Sequence, residues 1–89
     1  MQRFAWSDDK NRWLQVHRGM SFEQLRDALL ADGLLDILGP SDSARYPNQR
    51  RYVIFCEGYT WSVPAVVDGG TVFFKTAYRD RRLDRRYRS

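Results

Sequence analysis

Apolar residues recur at helical spacing through the first third of this chain and alternate with polar residues through most of the rest. Lys10, Trp13, Leu14 and His17 fall at i, i+3, i+4 and i+7, one face of a helix. Ser7, with Asp8 and Asp9 behind it, has the chemistry of a helix start, a capping hydroxyl followed by acids in the first turn. Gly19 stops this helix. Ahead of it, Gln2 to Trp6 reads as a short strand with Phe4 and Trp6 on one side. A second helix is predicted from Phe22 to Ala31. Ser21 and Gln24 form a capping box, and Met20 and Leu25 occupy the positions of a hydrophobic staple. Phe22, Leu25, Ala28 and Leu29 share its apolar face, and Gly33 is placed to end it in the left-handed conformation.

From Leu34 the period changes. Leu34 to Leu38 is a short apolar run with the character of a strand. Gly39 to Gln49 holds two prolines and several small polar residues, a loop composition. Three strands are predicted next: Arg51 to Cys56, Tyr59 to Val67 and Thr71 to Tyr78. Glu57-Gly58 and Asp68-Gly69-Gly70 are tight-turn signals between them. Pro64 implies an edge, a bulge or a missing donor inside the second of these strands. Both faces of the strands carry apolar residues, so we expect the helices to cover one face and a partner to cover the other. A short helix from about Asp80 to Arg86 follows.

With 89 residues the expectation is one domain spanning 1–89, a single sheet packed on one or two helices. No run reaches the roughly 20 apolar residues of a transmembrane helix, and the N-terminal stretch lacks the apolar core of a signal peptide. Cys56 is the one cysteine, which leaves no disulfide framework and no Cys-based metal site. These features point to a soluble, cytoplasmic protein.

Charge alters this bland picture. From Lys75 onward the chain holds seven Lys/Arg against Asp80 and Asp84, a local net of +5, whereas the preceding residues hold eight Lys/Arg and nine Asp/Glu. Charge gathered this tightly favours an anionic partner, most simply a phosphate backbone, with a solvated helix end as the competing reading. The catalytic inventory is thin. There is one His, one Cys, and only Glu23 and Glu57 for glutamate, in a helix first turn and a hairpin turn. No zinc cluster, P-loop or GxGxxG is present. Chemistry built from Lys, Arg, Tyr and His suits RNA cleavage, in which the 2′-hydroxyl is the nucleophile. The protein then orients it, moves protons and stabilises phosphorane charge without metal or cofactor. Lys75, Tyr78, Arg81 and His17 are the catalytic candidates, each with a competing reading as a surface or packing residue. Cys56 reads as a small core residue.

The order of motifs resembles a known family. Phe4, Trp6 and Lys10 form F-x-W-x-x-x-K, and Ser21-Phe22-Glu23 opens the second helix. Then come Leu34-Leu35-Asp36-Ile37, Tyr46-Pro47-Asn48-Gln49-Arg50, a Gly-Tyr hairpin, Val63-Pro64 and Phe74-Lys75-Thr76. Together, over nearly the whole chain, they resemble the BrnT-like toxins of bacterial type II toxin–antitoxin systems, in the RelE/ParE superfamily. The resemblance implies an α+β fold, with two N-terminal helices on a curved antiparallel sheet of three to four strands and a short basic C-terminal helix. It implies an endoribonuclease that inhibits translation and is held inactive by a cognate antitoxin, usually a ribbon-helix-helix protein through which the pair reaches operator DNA. RNA, free or ribosome-bound, would be the target. The family's strand-end Lys-Thr-x-Tyr corresponds to Lys75, Thr76 and Tyr78, and its basic tail to Arg81, Arg82, Arg85, Arg86 and Tyr87. Lys10 and Arg79 complete the expected RNA-binding set. The chain departs from the family in reading Arg79-Asp80 after the tyrosine, where close relatives read Pro-Ser, and in lacking a tail Glu. Some branches of the superfamily poison gyrase, so a non-enzymatic binder and a degenerate co-repressor remain alternatives.

Overall fold

The computed structural model describes residues 2–88. In chain order the elements are β1 (Arg3–Ala5), α1 (Asp8–Arg18), α2 (Phe22–Ala28), a π-helical turn (Leu29–Gly33), β2 (Leu34–Leu38), β3 (Gln49–Cys56), β4 (Tyr59–Asp68), β5 (Thr71–Phe74), β6 (Tyr78–Arg79) and α3 (Arg81–Arg88). The class is α+β, as expected. The sheet is larger than expected and mixed: its order is β1-β5-β4-β3-β2, with β6 pairing β4 beside β5. The mixed character comes from β1, which runs parallel to β5 with Phe4 opposite Val72. The free edge of β5 offers unpaired backbone groups, and three residues at the start of the chain satisfy them, with Arg3 N–H donating to the Gly70 carbonyl at 2.7 Å.

Both N-terminal helices begin at serine caps. Ser7 Oγ accepts from the Lys10 N–H at 3.3 Å, and Ser21 with Gln24 closes the capping box, Gln24 N–H donating to Ser21 Oγ at 3.1 Å. Gly19 ends α1 at φ 64°. The Lys10–Trp13–His17 stripe faces outward, with Trp13 37% exposed, and α1 buries Leu14 and Asn11 instead. Asn11 joins the helices: its Oδ1 accepts from Phe22 N–H at 2.8 Å, and its Nδ2 donates to Glu23 Oε1 at 2.7 Å. Glu23 is thereby committed to structure. Between the helices and the sheet, Phe22, Phe74, Trp6 and Phe4 form an aromatic cluster with centroid separations of 5.6–6.1 Å. Each fully buried ring of this size contributes roughly 1.5–3 kcal/mol.

The second helix ends earlier than predicted, at Ala28, and the next five residues form the π-helical turn. Gly33 does not adopt the left-handed conformation. It is needed for clearance, because a Cβ there would stand 2.5 Å from the Phe55 carbonyl oxygen and 2.8 Å from that of Ala28. The Glu57-Gly58 turn is as expected: both residues have positive φ, 53° and 77°, a type I′ geometry that matches strand twist.

Pro64 explains why the predicted third strand is broken in two. Its carbonyl accepts from Lys75 N–H at 2.8 Å, so its nitrogen, which carries no hydrogen, faces the same neighbour. Beyond that point the register slips. Ala65 pairs Phe74 and Ser62 pairs Tyr78, so Val63 and Pro64 stand opposite Lys75, Thr76 and Ala77. This one-residue bulge separates β5 from β6, and the Ala77 carbonyl takes a hydrogen bond from the Arg18 guanidinium.

The second face of the sheet does not wait for a partner along its whole length. At the β3–β4 hairpin end it is covered by α3. Asp80 caps this helix, its Oδ1 accepting from Leu83 N–H at 3.1 Å, while its Oδ2 accepts from Ser62 Oγ at 2.9 Å. Asp84 Oδ1 accepts from the Thr60 hydroxyl at 2.8 Å. Leu83 and Val53 are buried on this side, apart from the main core cluster.

Candidate nucleic-acid interface

The outward stripe of α1 is a stack of rings and cations. Lys10 Nζ lies 4.0 Å from the centroid of the Trp13 ring, the Arg18 guanidinium lies 4.8 Å from it, and the His17 ring stacks on it at 4.5 Å. His17 Nδ1 stands 3.0 Å from the Trp13 carbonyl. A carbonyl only accepts, so Nδ1 carries the hydrogen, and in the neutral ring Nε2 presents its lone pair outward.

This stripe borders a cleft of about 510 Å³ lined by His17, Arg18, Trp61, Tyr78 and Arg79. Register places Arg79 opposite Trp61 and Tyr78 opposite Ser62. The Arg79 guanidinium sits 5.2 Å from the Tyr59 centroid and 5.8 Å from that of Trp61. The indole N–H of Trp61 is buried without a hydrogen-bond partner among the described residues.

Tyr78 also lines a groove on the second face of about 460 Å³, with Leu38, Arg50, Arg51 and Pro64. Arg51 and Leu38 continue into a cleft of about 350 Å³ against α3, where Asp80, Arg82, Leu83 and Arg86 complete the wall. Lys75 is exposed and lines a smaller hollow of about 200 Å³ with Gln49, Arg50, Pro64 and Val66.

The structure brings His17 and Tyr78 into one cleft with Arg79 and sets Lys10 on the adjoining helix face. Lys75 lies outside that cleft, in a hollow that shares Gln49, Arg50 and Pro64 with the Tyr78 groove, and Thr76 is half-buried in the bulge. Arg81 and Arg85 are exposed on α3 and line none of these clefts. Arg82 and Arg86 line one cleft with Arg51. Tyr87 has a structural bond: its hydroxyl donates to Asp36 Oδ2 at 2.7 Å. That bond is the main reason the Asp36 carboxyl titrates below its usual range and the Tyr87 phenol above its own. Because Asp80 and Asp84 both turn to the sheet, the Arg residues of α3 face solvent unaccompanied by the acids of their own helix, apart from a 3.7 Å approach of Arg88 to Asp84.

Sequence reasoning missed Arg18, Arg50 and Arg51. Arg18 follows His17 in a helix's last turn, where a cation is explained by the helix dipole alone. Arg51 shares a strand face with Val53 and Phe55, and the pattern carries no sign that the tail crosses there. Cys56 is a core residue as expected, buried with Sγ 3.6 Å from the Gln24 carbonyl, and burial pushes its thiol up.

No protein-family model matches the sequence, and no curated protein matches it significantly. No helix among the described residues is long and apolar enough to cross a membrane. What remains is the arrangement itself. It offers guanidinium groups for phosphates, and one imidazole with one phenol lining a shared cleft.

Proposed function

We propose that this chain binds single-stranded RNA and cleaves it, acting as the toxin half of a toxin–antitoxin pair. The observation that carries the reading is the cleft that His17, Tyr78, Arg18 and Arg79 all line, in a chain whose terminal segment carries a net charge of +5. In the proposed reaction His17 Nε2 takes the proton of a ribose 2′-hydroxyl, and the 2′-oxygen attacks the adjacent phosphorus. The bond from phosphorus to the 5′-oxygen breaks, and the Tyr78 hydroxyl protonates the leaving oxygen. The products are a 2′,3′-cyclic phosphate and a 5′-hydroxyl, and solvent returns the proton from His17 to Tyr78. Arg18 and Arg79 offset the charge that develops on the phosphorane oxygens. The motif order reads as BrnT-like, so the expected partner is a ribbon-helix-helix antitoxin that also carries the pair to operator DNA. Phe73, 38% exposed on the part of the second face that α3 leaves open, gives that partner an apolar foothold beside the basic helix.

The test is induction of the chain without its partner, with RNA ends mapped. Growth arrest with new 5′-hydroxyl ends supports the reading, and intact RNA overturns cleavage. A second reading, binding without cleavage, draws on the separation of Lys75 and Arg81 from the His17 cleft. Arrest with intact RNA and blocked replication would favour it, with gyrase as the target.

A further inference from the structure

The cleft between β3 and α3 contains three guanidinium groups that the reaction proposed above does not use. Arg51 comes from β3, and Arg82 and Arg86 come from successive turns of α3. Among the described residues none of the three has an acidic partner within ion-pair distance. The one carboxylate on the wall, Asp80, is already held by the Ser62 hydroxyl and the Leu83 N–H. Asp36 lies near enough to Arg86 to feel its charge, but its Oδ2 accepts from Tyr87 and its Oδ1 from Ile37 N–H. Arg51 Nε is buried and donates to no atom among the described residues. A fork of donors with its nitrogen desolvated, beside two more cations, is costly unless an anion completes it. Planar guanidinium groups match phosphate oxygens in pairs.

We propose that this cleft is a second phosphate site, which holds a phosphodiester of the same RNA strand whose scissile group lies in the His17–Tyr78 cleft. The surface between the two sites is continuous. Tyr78 lines both the first cleft and the groove with Arg50, and Arg51 lines both that groove and the α3 cleft. The strand therefore passes over Tyr78 at β6, where the bulge opposite Pro64 reshapes the sheet edge. This site rests on the RNA reading above, and it adds that affinity depends on substrate length. A dinucleotide fills the first cleft alone, whereas a longer strand reaches Arg51, Arg82 and Arg86.

The experiment measures binding of 2′-O-methyl RNA, which cannot be cleaved, as a dinucleotide and as an octanucleotide, across a range of salt. Arg51→Gln and Arg86→Gln are expected to weaken the octanucleotide at least several-fold and to leave the dinucleotide unchanged. The salt slope of the octanucleotide should shrink by about 0.7 for each phosphate that is no longer neutralised. Arg86 is exposed on its helix, so that variant reports on the site even if Arg51→Gln folds poorly. Octanucleotide binding by both folded variants equal to the parent, with an unchanged slope, overturns the second site and leaves the first cleft standing. Failure of the parent chain to bind either oligonucleotide overturns the RNA reading itself, and the site with it.

Discussion

The Asp84 carboxylate accepts from both the backbone N–H and the hydroxyl of Thr60, at 3.1 and 2.8 Å, and Thr60 is fully buried. Asp80 makes the matching contact with buried Ser62. Acids four apart on a helix thus meet hydroxyls two apart on a strand, since both spacings return to one face. This pairing turns an Arg-rich segment with a single buried leucine into a docked helix. It also fixes where the positive charge points.

The contact is unequal in its consequences. Asp84→Ala leaves a buried N–H and a buried hydroxyl without an acceptor, so we expect a loss of about 1–3 kcal/mol. Thr60→Val removes only the hydroxyl and keeps the N–H bond, so its loss is expected to be smaller. Denaturant unfolding of both variants checks this. Equal losses would mean that the backbone bond contributes nothing to docking.

The Asp36–Tyr87 bond ties the end of α3 to β2 and is pH-dependent in a definite direction. Asp36 titrates below its usual 3.8, so its contribution is complete above that value and fades as pH falls through the lowered one. Tyr87 titrates above 10.0, so its contribution is complete below that value and fades as pH rises through the raised one. The bond therefore holds between the two ranges. In a spectrophotometric titration, Asp36→Ala should move one tyrosine to a lower pKa than in the parent. An unchanged titration would mean the hydroxyl does not donate to Asp36 in solution.

Two glycines with ordinary φ separate clearance from flexibility. Gly33→Ala places a methyl 2.5 Å from a backbone oxygen of β3, which cannot move without shifting the strand. A loss of about 1–3 kcal/mol is expected, as for overpacking generally. Gly39 meets nothing within 4 Å, so Gly39→Ala should be neutral or stabilise by about 0.4–1 kcal/mol. Thermal unfolding of the pair decides, and a tolerated Gly33→Ala would show that the π-helical turn shifts freely.

The elements that proved legible in the sequence are those with punctuation: Ser7 and Gly19 around α1, Ser21 with Gln24, the Glu57-Gly58 and Gly69-Gly70 turns. Their signals are local, and local geometry satisfies them. Three features depended on distant partners and were not legible. β1 was expected as a short strand, but its parallel pairing depends on which sheet edge stays free. Gly33 looks like a helix stop, because the Phe55 carbonyl that requires it lies 22 positions further along. The docking of α3 was hidden by its charge.

The candidate site was legible as a composition and only partly as a place. Lys10, Trp13 and His17 do share a face, but that face points to solvent, since Leu14 and Asn11 on the neighbouring face make the contacts with the rest of the fold. Tyr78 opens the short strand β6, and Arg79, where the chain departs from the family's motif, follows it. Lys75, three residues earlier, is separated from them by the bulge that Pro64 imposes.

That separation gives the sharpest prediction about activity. If cleavage takes place in the cleft that His17 and Tyr78 both line, proton transfer belongs to those two residues. His17→Gln and Tyr78→Phe should each lower the single-turnover rate by about 10²–10⁴-fold, the usual contribution of general acid–base catalysis. Neither change adds or removes formal charge from neutral groups, so RNA affinity should move little. Arg79→Gln removes charge next to the reacting phosphate, so both rate and affinity should fall. Lys75→Ala and Arg81→Ala lie outside the cleft, and their effect should be on affinity and its salt dependence, with the rate at saturating RNA near that of the parent. Surface substitutions of this kind usually shift stability by within about 0.5 kcal/mol, so unfolding does not confuse the comparison. The measurement is single-turnover cleavage of a short RNA at several enzyme concentrations, which separates binding from chemistry. A Lys75→Ala variant that binds normally and cleaves a hundredfold more slowly would move the chemistry across the bulge to the second face. A His17→Gln variant with the parent rate would remove the imidazole from the reaction.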